Sequence, residues 1–146
     1  MHAAPQGAVV VHLPQTITES DSSWALSPQS RLRRARAADM TIHEMRLLAN
    51  DALLTVRTRL AVNDTIPEEI QWAMVNDSNV SVLISLTKNR SVTERVLQEL
   101  SNSSAPRVRE AVARKKLTPL MTLQKMAKYD PSRLVQIAAK ETLAKL

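Results

Sequence analysis

The sequence returns on itself with a step of 26 residues. Leu48-Ala49-Asn50-Asp51 recurs as Met74-Val75-Asn76-Asp77, and the same phase carries Leu100-Ser101-Asn102-Ser103 and Met126-Ala127-Lys128-Tyr129. Val56, Val82, Val108 and Leu134 form a second column. Leu60, Leu86, Val112 and Ala138 form a third, and Thr41, Pro67, Thr93 and Pro119 a fourth. Four columns in one register, without insertion from Thr41 onward, identify stacked copies of one supersecondary unit. Such stacks build extended binding surfaces more often than reaction centres.

Composition narrows the unit to helices. The 146 residues hold one glycine, no phenylalanine, two tryptophans and one tyrosine, so aliphatic side chains and methionine must fill the interior. A barrel or sandwich needs glycine at its bends, whereas closely packed short helices do not. Length predicts a single domain. There is no cysteine, which excludes disulfides, thiolate metal sites and cysteine nucleophiles. No apolar run approaches the ~20 residues of a membrane span. Ala8-Val9-Val10-Val11 lacks a basic flank and does not read as a signal peptide. The expectation is a cytoplasmic protein with a flexible tail over 1–22 and one helical domain over 23–146. The alternative for Ala8 to Leu13 is an added strand or a segment packed on the first unit.

Each unit reads as two helices. In the unit from Pro67 to Val92, proline at the first helical position and Glu68-Glu69 behind it mark a helix start. Ile70, Ala73 and Met74 fall on one face. Asn76-Asp77-Ser78-Asn79 breaks the helix, because these side chains compete for the backbone. A second helix turns Val82, Leu83 and Leu86 inward and ends at Lys88-Asn89-Arg90. The next unit runs from the cap Thr93 through Val96, Leu97 and Leu100, then from Pro106 through Val108, Ala111 and Val112. The last has Leu120, Leu123 and Met126, and a closing helix from Asp130-Pro131 with Leu134, Ile137, Ala138, Ala139 and Leu143 inward. Ser27-Pro28 opens a half unit over 27–38, in which Ser30-Arg31-Leu32 matches Ser132-Arg133-Leu134 two residues out of register. Trp72 is assigned to the core or to packing between units, and Trp24 to a contact with the first unit.

Asp51 followed at Val56-Arg57 resembles the second-helix signature of HEAT-like repeats, and Val108-Arg109-Glu110-Ala111-Val112-Ala113 with Leu117-Thr118-Pro119 resembles the bacterial leucine-rich repeat variant. The resemblance covers residues 41–144. It implies an all-α, right-handed α-solenoid of about four 26-residue two-helix HEAT-like repeats with an N-terminal half repeat. It also implies an Asp–Arg ladder along the stack. Leu83 and Val135 replace the arginine in two units, and Ser103 and Tyr129 replace the aspartate in two. The iron–sulfur cluster that some leucine-rich repeat variants carry is excluded by the missing cysteines.

The formal charge of +6 is unevenly spread: the two ends of the array are basic, its middle is slightly acidic, and the segment before it holds only Glu19 and Asp21. Arg36, Lys88, Arg114 and Lys140 lie at multiples of the repeat, with Val62 as the gap. Arg90 and Lys116 form a second column, joined by Lys115. Arg31, Arg33, Arg34 and Arg36 cluster before the first full unit. Together with Arg57, Arg59 and Arg109 these are the candidate partner-binding residues. Arginine can grip carboxylate or phosphate bidentately. The plainer reading is charge compensation at helix C-termini, worth ~0.3–1 kcal/mol each, or a soluble cap over the open end. His2, His12 and His43 are scattered, and no metal, phosphate-cradling or nucleophile motif is present.

No catalytic residue, metal or cofactor is therefore expected. The leading function is a non-enzymatic protein-protein interaction module, an adaptor or regulator binding an acidic partner through a basic solenoid surface. A sequence-tolerant DNA or RNA binder using the same columns is the alternative, weakened by the few aromatics available for base stacking. A self-assembling structural protein, a homo-oligomer, is the third. Residues 93–118 also mimic a helix-turn-helix, but the same hairpin recurs elsewhere with unlike charges. No membrane partner is expected. Leu86→Ala should cost ~2–5 kcal/mol in denaturant unfolding if its column is core; an effect within error would place that column on the surface.

Overall fold

The computed structural model describes residues 23–146, and the expectations for 1–22 and for Ala8 to Leu13 lie outside them. Among the described residues there are nine α-helices, one short 3₁₀ turn and no strand. The turn, Ser23–Leu26, leads into α1 (Pro28–Arg34). Four helix pairs follow: α2 (Ile42–Ala49) with α3 (Leu54–Ala61), α4 (Glu68–Met74) with α5 (Val80–Lys88), α6 (Glu94–Leu100) with α7 (Pro106–Ala113), and α8 (Leu120–Tyr129) with α9 (Arg133–Ala144). The first helices start at Ile42, Glu68, Glu94 and Leu120, a step of 26 throughout. Second helices pack in series, α1 on α3, α3 on α5, α5 on α7 and α7 on α9, while α2 packs on α4 and α4 on α6. No helix among the described residues is long and apolar enough to cross a membrane.

Local chemistry sets the helix starts. Thr41, Pro67, Thr93 and Pro119 are the residues immediately before the first helices. Thr41 Oγ1 accepts from the Glu44 amide while the Glu44 carboxylate accepts from the Thr41 amide, a reciprocal capping box. Thr93 Oγ1 accepts from the Val96 amide. Pro67 and Pro119 therefore stand one position earlier than the sequence predicts. Pro67 is extended (φ −74°, ψ 167°), and its carbonyl accepts the first helical bonds from Ile70 and Gln71.

The apolar columns form the core. Leu48, Met74, Leu100 and Met126 are buried, as are Val56, Val82 and Val108, and Leu60, Leu86 and Val112. On α4 the inward residues are Ile70, Gln71 and Met74, and Ala73 faces out. Gln71 shares the 26-residue column of Met45, Leu97 and Leu123, all buried. Its polar head is satisfied: Nε2 donates to the carbonyls of Ile66 and Ser91, and Oε1 accepts from the Thr93 amide. Trp72 is 39% exposed, with the Arg95 guanidinium 4.9 Å from its ring centroid. It lies outside the core and packs between units, α4 against Arg95 of α6. Trp24 does fold back on the first helices.

The last unit slips by one residue. α8 runs for ten residues, where α4 and α6 run for seven, so α9 begins at Arg133 instead of the expected phase. Leu134 is consequently 63% exposed and Val135 takes its column at 0%. Ala138 and Ala139 are buried as expected, while Leu120 is exposed and Ile137 partly so. The N-terminal half unit, by contrast, is in register. α1 begins at Pro28, α3 at Leu54, α5 at Val80 and α7 at Pro106. Arg31 thus aligns with Arg57 and Arg109, and the two-residue offset read from Ser30-Arg31-Leu32 is incorrect.

This register builds a ladder of ion pairs. Arg31 reaches Asp51 at 2.7 Å, Arg57 reaches Asp77 at 2.8 Å, and Arg109 reaches Asp130 at 2.9 Å. In each rung an arginine on one second helix grips a carboxylate in the turn of the following pair. The same carboxylates accept turn amides, from Leu53, Asn79 and Ser132. Arg57 and Arg109 each also donate to a carbonyl six residues back, of Asp51 and Ser103 respectively. Gln136 does the same to Asp130, marking it as the shifted equivalent on α9. The slip explains how a rung survives although Tyr129 occupies the expected aspartate position. The rung between α5 and the α6–α7 turn is absent, because Leu83 and Ser103 stand there. Ser103 keeps only the turn bond, to the Ala105 amide.

Removing one partner of a shielded pair leaves an uncompensated charge. Asp77→Ala, which strands Arg57, should cost about 3 kcal/mol in denaturant unfolding. Glu69→Ala, breaking the exposed Arg46–Glu69 pair, should cost less than about 1 kcal/mol. Equal costs would show that the ladder does not hold the pairs of helices together.

Candidate basic binding surface

The thirteen candidate cations separate by environment. Arg31, Arg57 and Arg109 are the ladder residues and point into the chain. Arg34 pairs with Glu44 at 2.6 Å and with Asp39 at 2.9 Å. Its hydrogen bond to Glu44 holds the guanidinium above its ordinary pKa, against the effect of burial and aided by both carboxylate charges. Arg114 is raised in the same direction, first by its hydrogen bond to Glu110, and it also lies 3.6 Å from Glu141. Arg33 borders a hollow beside Trp24 and Ser30. Lys115 is half-buried, and Lys116 and Lys140 are exposed.

Four candidates meet. Arg36, Arg59, Lys88 and Arg90 line one open depression of about 410 Å³, with Val62, Asn63 and Asp64 completing its wall. They come from three consecutive second helices. Arg36 lies just beyond α1, Arg59 in the last turn of α3, and Lys88 and Arg90 at and beyond the end of α5. Asp64 is the carboxylate in the depression. Among the described residues, none of the four cations is in an ion pair.

Two asparagines, missed in the sequence, close the chain where α1 and α3 end, beside Arg36 and Arg59; no asparagine does so at the end of α5, beside Lys88 and Arg90. A helix leaves its last carbonyls without internal partners. Asn63 Nδ2 donates to the carbonyls of Ala35 and Ala37, both at 2.9 Å, closing the end of α1. Asn89, fully buried, repeats this one step later, to Ala61 at 2.9 Å and Asn63 at 2.8 Å, closing the end of α3. Each asparagine also accepts an amide two residues ahead, from Thr65 and Ser91. The signal was their spacing of one repeat. An amide column of two residues stands out less than the charged columns beside it. At the next step Lys115 replaces the asparagine; Thr142 donates to the carbonyl of Ala113 one unit further on.

The site therefore combines a neutral hydrogen-bonded floor with a rim of exposed positive charge. Its exposed charge is four cations against the one carboxylate of Asp64. Comparison of the chain with protein-family models, with curated proteins and with solved structures gives no match.

The division between floor and rim has a direct test. Asn89→Ala, which strands two carbonyls, should destabilise by about 3 kcal/mol. Lys88→Ser and Arg90→Ser should each stay within about 0.5 kcal/mol of the parent, as surface changes do. Thermal or denaturant unfolding of the three variants measures this, and a loss at Lys88 matching that at Asn89 would make the cations structural.

Proposed function

We propose that the chain is a non-enzymatic, right-handed α-solenoid of HEAT-like two-helix repeats that binds an acidic protein partner along its basic edge. The observation that carries this reading is the convergence of Arg36, Arg59, Lys88 and Arg90 on one depression, where the carbonyls at the ends of α1 and α3 are already closed by Asn63 and Asn89. Charge compensation at helix ends accounts for one cation near a terminus. One at each of three helix ends is within its reach, and the second at the end of α5, where Lys88 and Arg90 stand together, is not. The serial packing of α1, α3, α5, α7 and α9 and the constant step of the first helices support the solenoid reading.

A protein partner is favoured over nucleic acid by what surrounds the cations. Single-stranded nucleic acid binds best where bases stack on aromatic rings beside the basic groove. Neither Trp72 nor Tyr129 lines this depression; Trp72 is stacked against Arg95, and Tyr129 lies on α8 beside Lys128.

Fluorescence anisotropy with labelled polyglutamate tests the proposal. Binding to the full chain is expected, weakened about tenfold or more when Arg59, Lys88 and Arg90 are together changed to serine. Arg107→Ser, outside the depression, should leave it unchanged. No binding of polyglutamate at low salt overturns the reading. Tighter binding of duplex DNA, with a steep fall in affinity as salt rises, transfers it to nucleic acid.

A further inference from the structure

Resting on that reading, we propose that the ligand of the basic edge is an extended peptide segment with a carboxylate at every third residue, in step with the helix ends. The second helices α1, α3 and α5 pack in series, and each brings at least one cation to the depression. Packed helices lie ~8–10 Å apart. A polyproline-II segment rises ~3.1 Å per residue and turns once every three residues, so one turn spans about one helix-to-helix step and returns every third side chain to the same face. Acidic side chains at that spacing fall in turn opposite Arg36, Arg59 and the Lys88–Arg90 pair.

Size selects the extended form. A helical ligand with side chains is ~10–12 Å across, and over three helix ends it would occupy several times the volume of the depression. A polyproline-II segment fits with its backbone in the hollow and every third side chain toward the rim. Asn63 and Asn89 spend both side-chain donor hydrogens on carbonyls of the chain itself. Recognition at the rim is therefore by charge.

Asp64 gives the edge selectivity. It lines the same depression, one repeat before Arg90 in sequence, and its carbonyl accepts from Ser91 Oγ at 2.6 Å, which ties its backbone to the next unit. A continuous acidic run places a carboxylate against Asp64, and like charges at close quarters are disfavoured. A segment with neutral residues between its acids leaves that place empty of charge. Discrimination by a built-in repulsive group is a general route to specificity. It also disfavours nucleic acid, whose phosphates recur at every nucleotide.

Two short labelled peptides of equal composition and charge provide the test, one with glutamate at every third position and serine between, the other with its glutamates adjacent. At moderate salt the spaced peptide should bind the full chain about tenfold more tightly. Asp64→Asn should narrow this gap by strengthening the adjacent-glutamate peptide. Equal affinities for the two peptides overturn the spacing inference and leave the basic-edge reading standing. Tighter binding of a helix-forming peptide with acids spaced seven residues apart overturns the extended form. Failure of polyglutamate to bind at low salt removes the underlying reading itself.

Discussion

Helices of seven or eight residues are too short to persist alone in water, since nucleating a helix costs more than two turns of backbone hydrogen bonds return. Seven of the nine helices described here have nine residues or fewer. Their stability must come from apolar contact with neighbours. Val56, Val82, Val108 and Val135 are fully buried because each second helix lies against the next. Every other feature, from the ion-pair rungs to the basic rim, takes its position from this packing in series.

Polar groups then tie the pairs together. The arginine rungs join a second helix to the following turn, and Asn63 and Asn89 close helix ends one step behind them. Both devices lapse at the same junction, between α5 and α7, where Leu83, Ser103 and Lys115 occupy the ladder positions. Contact there rests on aliphatic side chains such as Leu86 and Val112, with Gln71 as the polar tie between α4 and the turn before α6. The stack is thus chemically uneven, although its apolar columns are regular.

That unevenness is what separates structural from available charge. Arg57 and Lys88 both read as basic residues on a helix face. One is 16% exposed at its side chain and bound to Asp77, while the other stands at a helix end beside Arg90. The carbonyls at the α1 and α3 ends are met by amides, and Arg36, Arg59, Lys88 and Arg90 are all exposed. The reading as a binding surface follows from this separation and not from net charge.

Period and composition by themselves determined the helical class, the unit length and most core columns, because burial of one face repeats wherever the chain repeats. The helix breaks at Asn76 to Asn79 and Ser101 to Ser104 were legible for the same local reason, side chains competing with the backbone. The one-residue slip before α9 was not, because an extra residue at the end of α8 changes phase without changing composition. It turned Leu134 out and Val135 in, and it brought Asp130 to Arg109. Nor was the fate of each arginine legible, since a carboxylate twenty residues away becomes a partner only when the next pair of helices packs. Sequence supplied thirteen candidate cations. Packing decided which of them were bound inside and which four meet at one surface.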